Sequence, residues 1–310
     1  MPEDSFYLIK SVEAKTSSKG GMYLDFVLAD KNGDIPAKLW DYTPSRHGEF
    51  KPDMVVKVRG TLEKWKDRPQ LRIEKLRPAE EGDGVRAGEL VPCAPGDPQL
   101  MLDEITAIVR GFSDEELKTV TLMFLERGRD KLLIWPAAVK LHHAVRGGLL
   151  QHILTVARMA LQACLIYPFL NRDLLLAGVI LHDMAKLDEY GVSDLGVAGE
   201  YTAGGILMGH PVRGALQIEL FAREAGIGDE TVLLLQHMLL SHHGVPEFGS
   251  PVRPAFMEAE VLSALDTLDA KLYEMVEALG QTEKGSFSPR QWALDNRRLY
   301  NHGKTGDNAE

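Results

Sequence analysis

Short apolar runs and short polar segments alternate over the first 78 residues. The runs are rich in Val, Ile, Leu and aromatic residues, and Gly, Asp, Asn and Pro separate them. This pattern predicts β-strands joined by turns. Five strands are predicted, at residues 6–14, 22–28, 35–42, 54–62 and 70–76. Because Asn32-Gly33 favours a tight hairpin turn and five short strands fill so few residues, a small barrel resembling the OB fold is expected.

The pattern changes after residue 78. Residues 79–98 show neither strand nor helix periodicity and contain several Gly and Pro, which predicts a linker. From residue 99 to 302 apolar residues recur at intervals of three and four, as in amphipathic helices. Helices are predicted at 100–111, 136–145, 149–167, 172–186, 202–225, 229–241, 255–279 and 289–300, with a further helix that covers 120–125.

A capping box formed by Ser113 and Glu116 is expected to begin the helix that covers 120–125. Residues 303–310 are polar and are expected to form a flexible tail. The predicted fold class is therefore multidomain, with a small all-β OB-like barrel at 1–78 and an all-α helical domain at 99–302.

Composition and charge limit the classes of function that the chain can have. With 45% hydrophobic and 26% charged residues, the chain is typical of a folded, soluble protein. Residues 1–78 hold 15 Lys and Arg against 12 Asp and Glu, a net charge of +3, whereas the remaining residues hold 20 against 33, a net charge of -13. A mildly basic domain joined to an acidic one suits capture of a polyanion beside a cation-binding site.

Cellular location is predicted from the cysteines and the apolar segments. The chain has only two cysteines, Cys93 and Cys164, so no disulfide framework is expected. No signal segment and no long apolar run is apparent. These features predict a cytoplasmic protein that does not insert into a membrane.

OB barrels hold oligonucleotides on their second and third strands and on the loops that join strands 1 to 2 and 4 to 5. Aromatic and basic residues occur at these positions, where rings can stack on bases for about 1–3 kcal/mol each. The alternative is that the rings fill the barrel interior. The candidate nucleic-acid-binding residues are Lys19, Tyr23, Phe26, Trp40, Trp65, Lys66 and Arg68.

Histidines cluster in the second half of the chain. Ligand-type residues occur there in groups 23 to 32 residues apart, so that each group falls near a successive helix and can face one bundle core. Imidazole and carboxylate together suit Mn, Fe, Zn or Mg. The candidate metal ligands are His152, His182, Asp183, His210, His242, His243 and Asp266.

Two metal ions bridged by Asp183 would activate a shared water for in-line attack on phosphorus. Lys186 lies one helical turn beyond Asp183 and could neutralise a phosphate oxygen, or it could be a solvated lysine at a helix end. Arg146 could clamp a phosphate, or it could hold the turn before Gly147. Asp183, Lys186 and Arg146 are the candidate catalytic residues.

These motifs resemble a known family. The run His182-Asp183-Met184-Ala185-Lys186, with the other groups in this order, is similar to the HD phosphohydrolase superfamily. The run from His142 to His152, the pair Gly209-His210 and the run from Leu240 to Gly244 resemble the YhaM-like 3′-5′ exoribonucleases, which also carry an N-terminal OB domain. The chain departs from that family at Ala185, commonly Gly, and at Gln151, commonly Glu.

The resemblance implies a metal-dependent enzyme that trims single-stranded RNA from the 3′ end and releases nucleoside 5′-monophosphates. It implies His152, His182, Asp183, His210, His242 and Asp266 as metal ligands, with His243 as a further ligand or a phosphate contact. Two divalent ions are expected, with Mn favoured. Single-stranded DNA is a further candidate substrate, and a homo-oligomer is compatible with the sequence.

Two alternatives remain at this point. One is an HD phosphohydrolase of small nucleotides or cyclic dinucleotides, with the barrel as a regulator. The other is a single-stranded nucleic-acid-binding protein whose metal site is inactive. The aromatic and basic residues of the barrel favour a nuclease over the first, and the complete ligand set favours an enzyme over the second.

Overall fold

The chain folds as two compact units. The computed structural model describes residues 4–18, 20–65 and 68–304, with all their side chains except those of Trp65 and Phe248. The first unit extends to Cys93 and the second begins at Ala94. An OB-type barrel forms the first unit and a helical domain the second, which confirms the predicted fold class.

Five strands close into a barrel in the order β1-β2-β3-β5-β4. Strands β3 and β5 pair in parallel, and the other neighbours are antiparallel. A short helix α1 (Pro44–His47) follows the third strand. The strands are β1 (Asp4–Thr16), β2 (Met22–Asp30), β3 (Gly33–Leu39), β4 (Val55–Trp65) and β5 (Arg68–Pro78).

The barrel interior is filled by alternate residues of each strand, because successive side chains of a strand point to opposite faces. On β2 Leu24, Phe26 and Leu28 point into the barrel and are buried, whereas Tyr23 and Val27 lie on the outer face and are only partly buried. Each predicted strand is present, although β3 ends at Leu39 rather than at residue 42.

Residues 79–93 fold with the barrel. Helix α2 (Ala87–Leu90) lies within this segment and buries Leu90 almost completely. The carbonyl of Glu89 accepts a hydrogen bond of 3.3 Å from the backbone N–H of Lys31 in the turn between β2 and β3. Periodicity could not predict this packing, because α2 is a single turn.

The second unit packs helices around a continuous apolar core. Two short strands, β6 (Tyr190–Val192) and β7 (Ala198–Tyr201), form a hairpin, so this domain is not purely α-helical. The long helices are α3 (Pro98–Arg110), α4 (Glu115–Leu132), α5 (Gly148–Ile166), α6 (Arg172–Leu181), α7 (Ala203–Ala225), α8 (Asp229–Ser241) and α9 (Met257–Gly280).

Helix α5 is central to this unit and contacts α3, α6 and α9. By length and composition it is the one helix in the described part of the chain that could cross a membrane. Its residues Leu149, Leu150 and Ile153 are nevertheless buried in the protein core. We therefore interpret α5 as the core helix of a soluble domain.

Two predicted helices are absent. Residues 136–145 form an irregular segment, in which Ala137 N–H bonds to the His143 carbonyl and Leu149 N–H to the Trp135 carbonyl. Residues 289–300 contain only the 3-10 turn Trp292–Leu294. There Asp295 and Asn296 have φ angles of 56° and 55°, and these left-handed conformations interrupt a helix.

Two predicted helix ends also differ. Helix α4 is capped by Asp114, whose side chain accepts from the backbone N–H groups of Glu116 and Leu117, so Ser113 is not the cap. Helix α6 ends at Leu181, and the chain continues into a 3-10 turn, Met184–Asp188, instead of the α-helix predicted to residue 186.

Candidate metal centre

Seven ligand-type side chains converge in the core of the helical unit. The structure brings together all the candidate metal ligands, from five separate parts of the chain. Helices α5, α7 and α9 each supply one, and the ends of α6 and α8 each supply two adjacent residues. The set comprises His152, His182, Asp183, His210, His242, His243 and Asp266.

The carboxylate of Asp183 divides this cluster. Its Oδ2 lies 3.4 Å from His182 Nε2 and 3.7 Å from His152 Nε2. Its Oδ1 lies 3.2 Å from His210 Nε2 and 3.9 Å from His242 Nε2. Each oxygen therefore faces a different pair of imidazoles, which is the arrangement that a bridging carboxylate requires.

Two further side chains complete the two groups. Asp266 Oδ1 lies 3.2 Å from His152 Nε2 and 3.8 Å from His182 Nε2, on the Oδ2 side of Asp183. On the other side, the ring of His243 lies 4.0 Å from that of His242 between centroids. We call His152, His182, Asp266 and Asp183 Oδ2 the His152 group. We call His210, His242, His243 and Asp183 Oδ1 the His210 group.

Two histidines are oriented by their own helices. His182 and His242 stand at the C-terminal ends of α6 and α8, and each Nδ1 lies 2.7 Å from the carbonyl three residues earlier, Val179 and Leu239 respectively. A carbonyl can only accept, so each Nδ1 donates. Each Nε2 is then left with its lone pair directed into the cluster.

Two other histidines are oriented by carboxylates. His152 Nδ1 lies 2.7 Å from Asp269 Oδ2. His210 Nδ1 lies 3.1 Å from both carboxylate oxygens of Glu189, and its backbone N–H donates to Glu189 Oε1 over 3.0 Å. A carboxylate behind an imidazole fixes the ring and strengthens the opposite nitrogen as a ligand.

Helix α7 changes direction at this point. Gly209 has a φ of 69° and is non-helical, so α7 consists of two parts that meet immediately before His210. Only glycine adopts this conformation without strain. Pro211 follows at the start of the second part, where a missing N–H costs little. The kink places the His210 ring beside Asp183.

The chemistry of the cluster fits divalent cations. Four buried atoms, Asp183 Oδ1, His210 Nε2, His242 Nε2 and His243 Nδ1, have no hydrogen-bond partner within the described residues. Leaving a buried polar atom unsatisfied costs about 1–3 kcal/mol. All four belong to the His210 group, so a cation bound there would satisfy them together.

Lys186 belongs to the same cluster. It is 8% exposed and its Nζ lies 2.7 Å from Asp183 Oδ2, so it is not a solvated lysine. Burial alone would raise the pKa of Asp183, but the ammonium of Lys186 outweighs burial and holds this pKa well below its ordinary value. Burial likewise opposes the charge on Lys186, yet Asp183 raises its pKa. Both groups are therefore ionised.

A chain of hydrogen bonds extends outward from His152. Asp269 Oδ2 also lies 2.8 Å from His143 Nε2, and His143 Nδ1 lies 3.1 Å from the side-chain oxygen of Gln151. Burial would raise the pKa of Asp269, but the two histidines lower it to about 2. Asp269 is thus the outer partner of His152, a role that the sequence could not separate from that of a ligand.

Sequence reasoning missed Glu189. It follows Asp188 in a polar run that looks like a solvated surface, yet Glu189 is 8% exposed. The available signal was its position close after the His182-Asp183 pair.

Arg146 lies apart from these contacts. Its Nη1 donates to the carbonyl of Asp194 over 2.9 Å, and its own carbonyl accepts from Ala94 N–H. In the described residues no contact joins it to the histidines. This bond ties the guanidinium to the segment between β6 and β7, and the phosphate clamp at Arg146 stays a prediction.

On the barrel, Tyr23 and Trp40 form an exposed aromatic pair. Their ring centroids are 4.7 Å apart, and Trp40 is 42% exposed. Lys38 Nζ lies 5.0 Å from the Tyr23 ring and 5.5 Å from the Trp40 ring. Lys38 was not predicted, although it lies two residues before Trp40 and therefore shares its face of the strand.

The remaining nucleic-acid candidates differ from this pair. Phe26 is 2% exposed and packs against Phe50 in the barrel interior, so its assignment as a stacking surface is wrong. Phe26 lies three positions after Tyr23, and an odd number of positions along a strand reverses the face. Arg68 is exposed at the start of β5. Lys19, Lys66 and the side chain of Trp65 lie outside the described residues.

Both units match family models. The model described as an OB-fold nucleic acid binding domain matches residues 8–79. The model described as the HD domain matches residues 149–271, which include every residue of the two groups around Asp183.

Relatives align over nearly the whole chain. A protein of Geobacillus sp. (strain WCH70) is 39% identical over 297 residues, which are 96% of this chain and 91% of the relative. A protein of Listeria monocytogenes serotype 4b (strain CLIP80459) is 39% identical over 96% of this chain and 94% of its own. One of Bacillus licheniformis is 37% identical over the same shares. All three are named 3′-5′ exoribonuclease YhaM, and the chain therefore belongs to the YhaM family.

Proposed function

We propose that the protein is a metal-dependent 3′-5′ exoribonuclease that hydrolyses single-stranded RNA and releases nucleoside 5′-monophosphates. Single-stranded DNA is proposed as a further substrate. The observation that carries the proposal is the Asp183 carboxylate, whose two oxygens face two separate groups of ligand atoms. Membership of the YhaM family supports the same activity.

The residues present would hold two divalent ions. The His152 group supplies two imidazoles, Asp266 and one oxygen of Asp183, and the His210 group supplies three imidazoles and the other oxygen. This mixture of nitrogen and oxygen ligands favours Mn, with Mg, Fe or Zn as alternatives. Such ions, when bound, activate a water for attack on phosphorus and neutralise charge on the phosphate.

The chain's own residues position the substrate phosphate. Lys186 uses one ammonium N–H on Asp183, which leaves two donors for a non-bridging phosphate oxygen. It would thereby stabilise negative charge that develops there during hydrolysis. Because Lys186 is buried, this charge acts with little screening by solvent.

The barrel would hold the strand while the helical unit removes nucleotides from its 3′ end. The exposed pair Tyr23 and Trp40 offers ring faces to bases, and Lys38 adds positive charge beside them. Exposed Arg68 is proposed as a further cation, and the RNA contacts of Lys19 and Lys66 stay predictions from the sequence. We place the protein in the cytoplasm, because two cysteines are too few for a disulfide framework, and a homo-oligomer stays a prediction.

The decisive experiment uses a 5′-labelled single-stranded RNA, the purified protein and Mn²⁺, with an EDTA control. Products resolved at nucleotide resolution should form a ladder that shortens from the 3′ end only in the presence of metal. Chromatography should identify nucleoside 5′-monophosphates. Intact RNA in Mn²⁺, or cleavage at internal positions, would reject this function.

A further inference from the structure

A basic groove lies on the outer surface of the barrel, on strands β4 and β5 beside the start of β1 and helix α1. Its volume is about 390 Å³. Five cationic side chains line it, and they are Arg46, Lys57, Arg59, Lys75 and Arg77. The groove is separate from the aromatic pair, since that pair lies on β2 and at the end of β3.

Strand register places these cations directly opposite one another. Lys57 of β4 pairs with Arg77 of β5, and Arg59 pairs with Lys75. Because Val56 and Val58 point into the barrel core, the residues between and beside them point outward. Like charges directly opposite in an antiparallel pair are destabilising. The barrel therefore carries two unfavourable pairs on one face.

Acidic neighbours compensate for only part of this charge. Asp4 lies 2.6 Å from Arg59 and 3.7 Å from Lys57. Asp83 lies 2.7 Å from Arg77 and 3.7 Å from Lys57. These contacts fix three of the four strand cations in place. Glu80 lies 3.9 Å from Arg77 and Glu74 also lines the groove, so five cations face four carboxylates and the positive excess is small.

Two cations of the groove remain available. Lys75 and Arg46 are exposed, and neither forms an ion pair with any described residue. Arg46 lies in the last turn of α1, where positive charge is favoured by the helix dipole. Lys57, Arg59 and Arg77 thus form a fixed row, and Lys75 and Arg46 are free to bind an incoming anion.

We propose that this groove binds the phosphate backbone of single-stranded RNA, as a second contact besides the aromatic face; this inference rests on the proposed function. Cations two residues apart on a strand are separated by roughly 6.5–7 Å, comparable with successive phosphates of an extended strand. In the described part of the chain, His47 supplies the one aromatic ring among the lining residues, and Lys57 Nζ covers the neighbouring Phe6 ring, 5.3 Å from its centroid. The groove offers charge without base stacking, which predicts binding independent of sequence.

The test removes the two free cations. The variant R46Q/K75Q is compared with K31Q/K51Q, which loses the same charge at two exposed barrel lysines outside the groove. Binding to a long fluorescent single-stranded RNA is measured by anisotropy in EDTA, so that no hydrolysis occurs. Melting temperatures verify that both variants are folded.

The R46Q/K75Q variant should bind the long RNA roughly tenfold more weakly at low salt. Its slope of log K against log salt should be smaller in magnitude by about 1.4, because each lost phosphate contact contributes about 0.7 on a single strand. The K31Q/K51Q variant should keep the original slope. Hydrolysis of a short oligonucleotide in Mn²⁺ should be unchanged in both variants, because neither variant changes a residue of the metal centre.

An unchanged slope in R46Q/K75Q, or an equal loss in the control variant, would overturn the groove as an RNA site. In that case its charge would serve another partner, such as an acidic protein. Failure of the proposed function would give a different result. The unmodified protein would bind RNA in EDTA but leave the RNA intact in Mn²⁺.

Discussion

The metal centre and the RNA face of the barrel hold their functional groups in opposite ways. In the centre, four imidazoles are buried, and each is fixed through its second nitrogen by a carbonyl or a carboxylate. On the barrel, Trp40 is exposed and is held by contacts with the Tyr23 ring and Lys38. We therefore expect catalysis to depend on a rigid arrangement of buried side chains, and strand binding to depend on several exposed groups.

The largest effect is expected from Asp183→Asn. An amide offers one oxygen instead of two and lacks the negative charge that faces Lys186, so neither group of ligands is complete. Hydrolysis of RNA in Mn²⁺ should fall by more than the roughly 10- to 100-fold typical of an outer-partner mutation. RNA binding measured in EDTA should be retained.

A matched control for that substitution is Asp188→Asn. Asp188 is a nearby carboxylate, 39% exposed at its side chain, which pairs with Lys131 and lies outside the two groups. It should keep nearly full activity. If Asp183→Asn retains hydrolysis, or if both variants lose it equally, Asp183 is not the bridge.

Removal of metal should lower the stability of the helical unit. Four buried atoms of the His210 group lack partners, and a ligand at 100 times its dissociation constant stabilises a fold by about 2.7 kcal/mol. Addition of Mn²⁺ to EDTA-treated protein should therefore raise the melting temperature in calorimetry. The same addition to Asp183→Asn should give a smaller rise, and an equal rise would mean that the ion binds elsewhere.

A smaller effect is expected from Asp269→Asn, because Asp269 acts through His152. Loss of the carboxylate behind that imidazole should weaken Mn²⁺ binding by about 10- to 100-fold, measured by titration calorimetry. The exposed Glu277 of the same helix provides the control, and Glu277→Gln should leave the affinity unchanged. An unaltered Mn²⁺ affinity in Asp269→Asn would show that the hydrogen bond between Asp269 and His152 is only structural.

The smallest effect is expected on the barrel. Trp40→Ala should weaken binding of long RNA by about 1 kcal/mol, the lower end of the usual range for base stacking, because Tyr23 remains. Its melting temperature should stay close to that of the unmodified protein. Phe26→Ala removes an interior ring and should instead destabilise the barrel, by about 3–5 kcal/mol. If Trp40→Ala and Phe26→Ala lowered RNA affinity and melting temperature equally, the assignment of Trp40 to RNA binding and Phe26 to the barrel core would fail.

Much of this architecture could be predicted from the sequence. Alternation of apolar residues located all five barrel strands, because that period directly reflects burial. The candidate ligands could be grouped because His152, His210 and Asp266 each fall on a long apolar helix, where an imidazole or carboxylate needs a partner. These signals are local, so they can be identified in the sequence without the tertiary contacts.

The errors share a different physical origin. Residues 136–145 have apolar periodicity, but bonds from Ala137 and Leu149 to distant carbonyls replace a helix with an irregular path. Glu189 acquires its role only through the contacts with His210 that folding creates. Such partners cannot be identified from periodicity.

The kink at Gly209 has a consequence for how the site assembles. One oxygen of Glu189 accepts from both the backbone N–H and the ring of His210, so it caps the second part of α7 while it orients the imidazole. Helix initiation and ligand orientation therefore depend on a single carboxylate. A chain in which this cap has not formed cannot present His210, so completion of the fold and readiness to take up metal are one cooperative event.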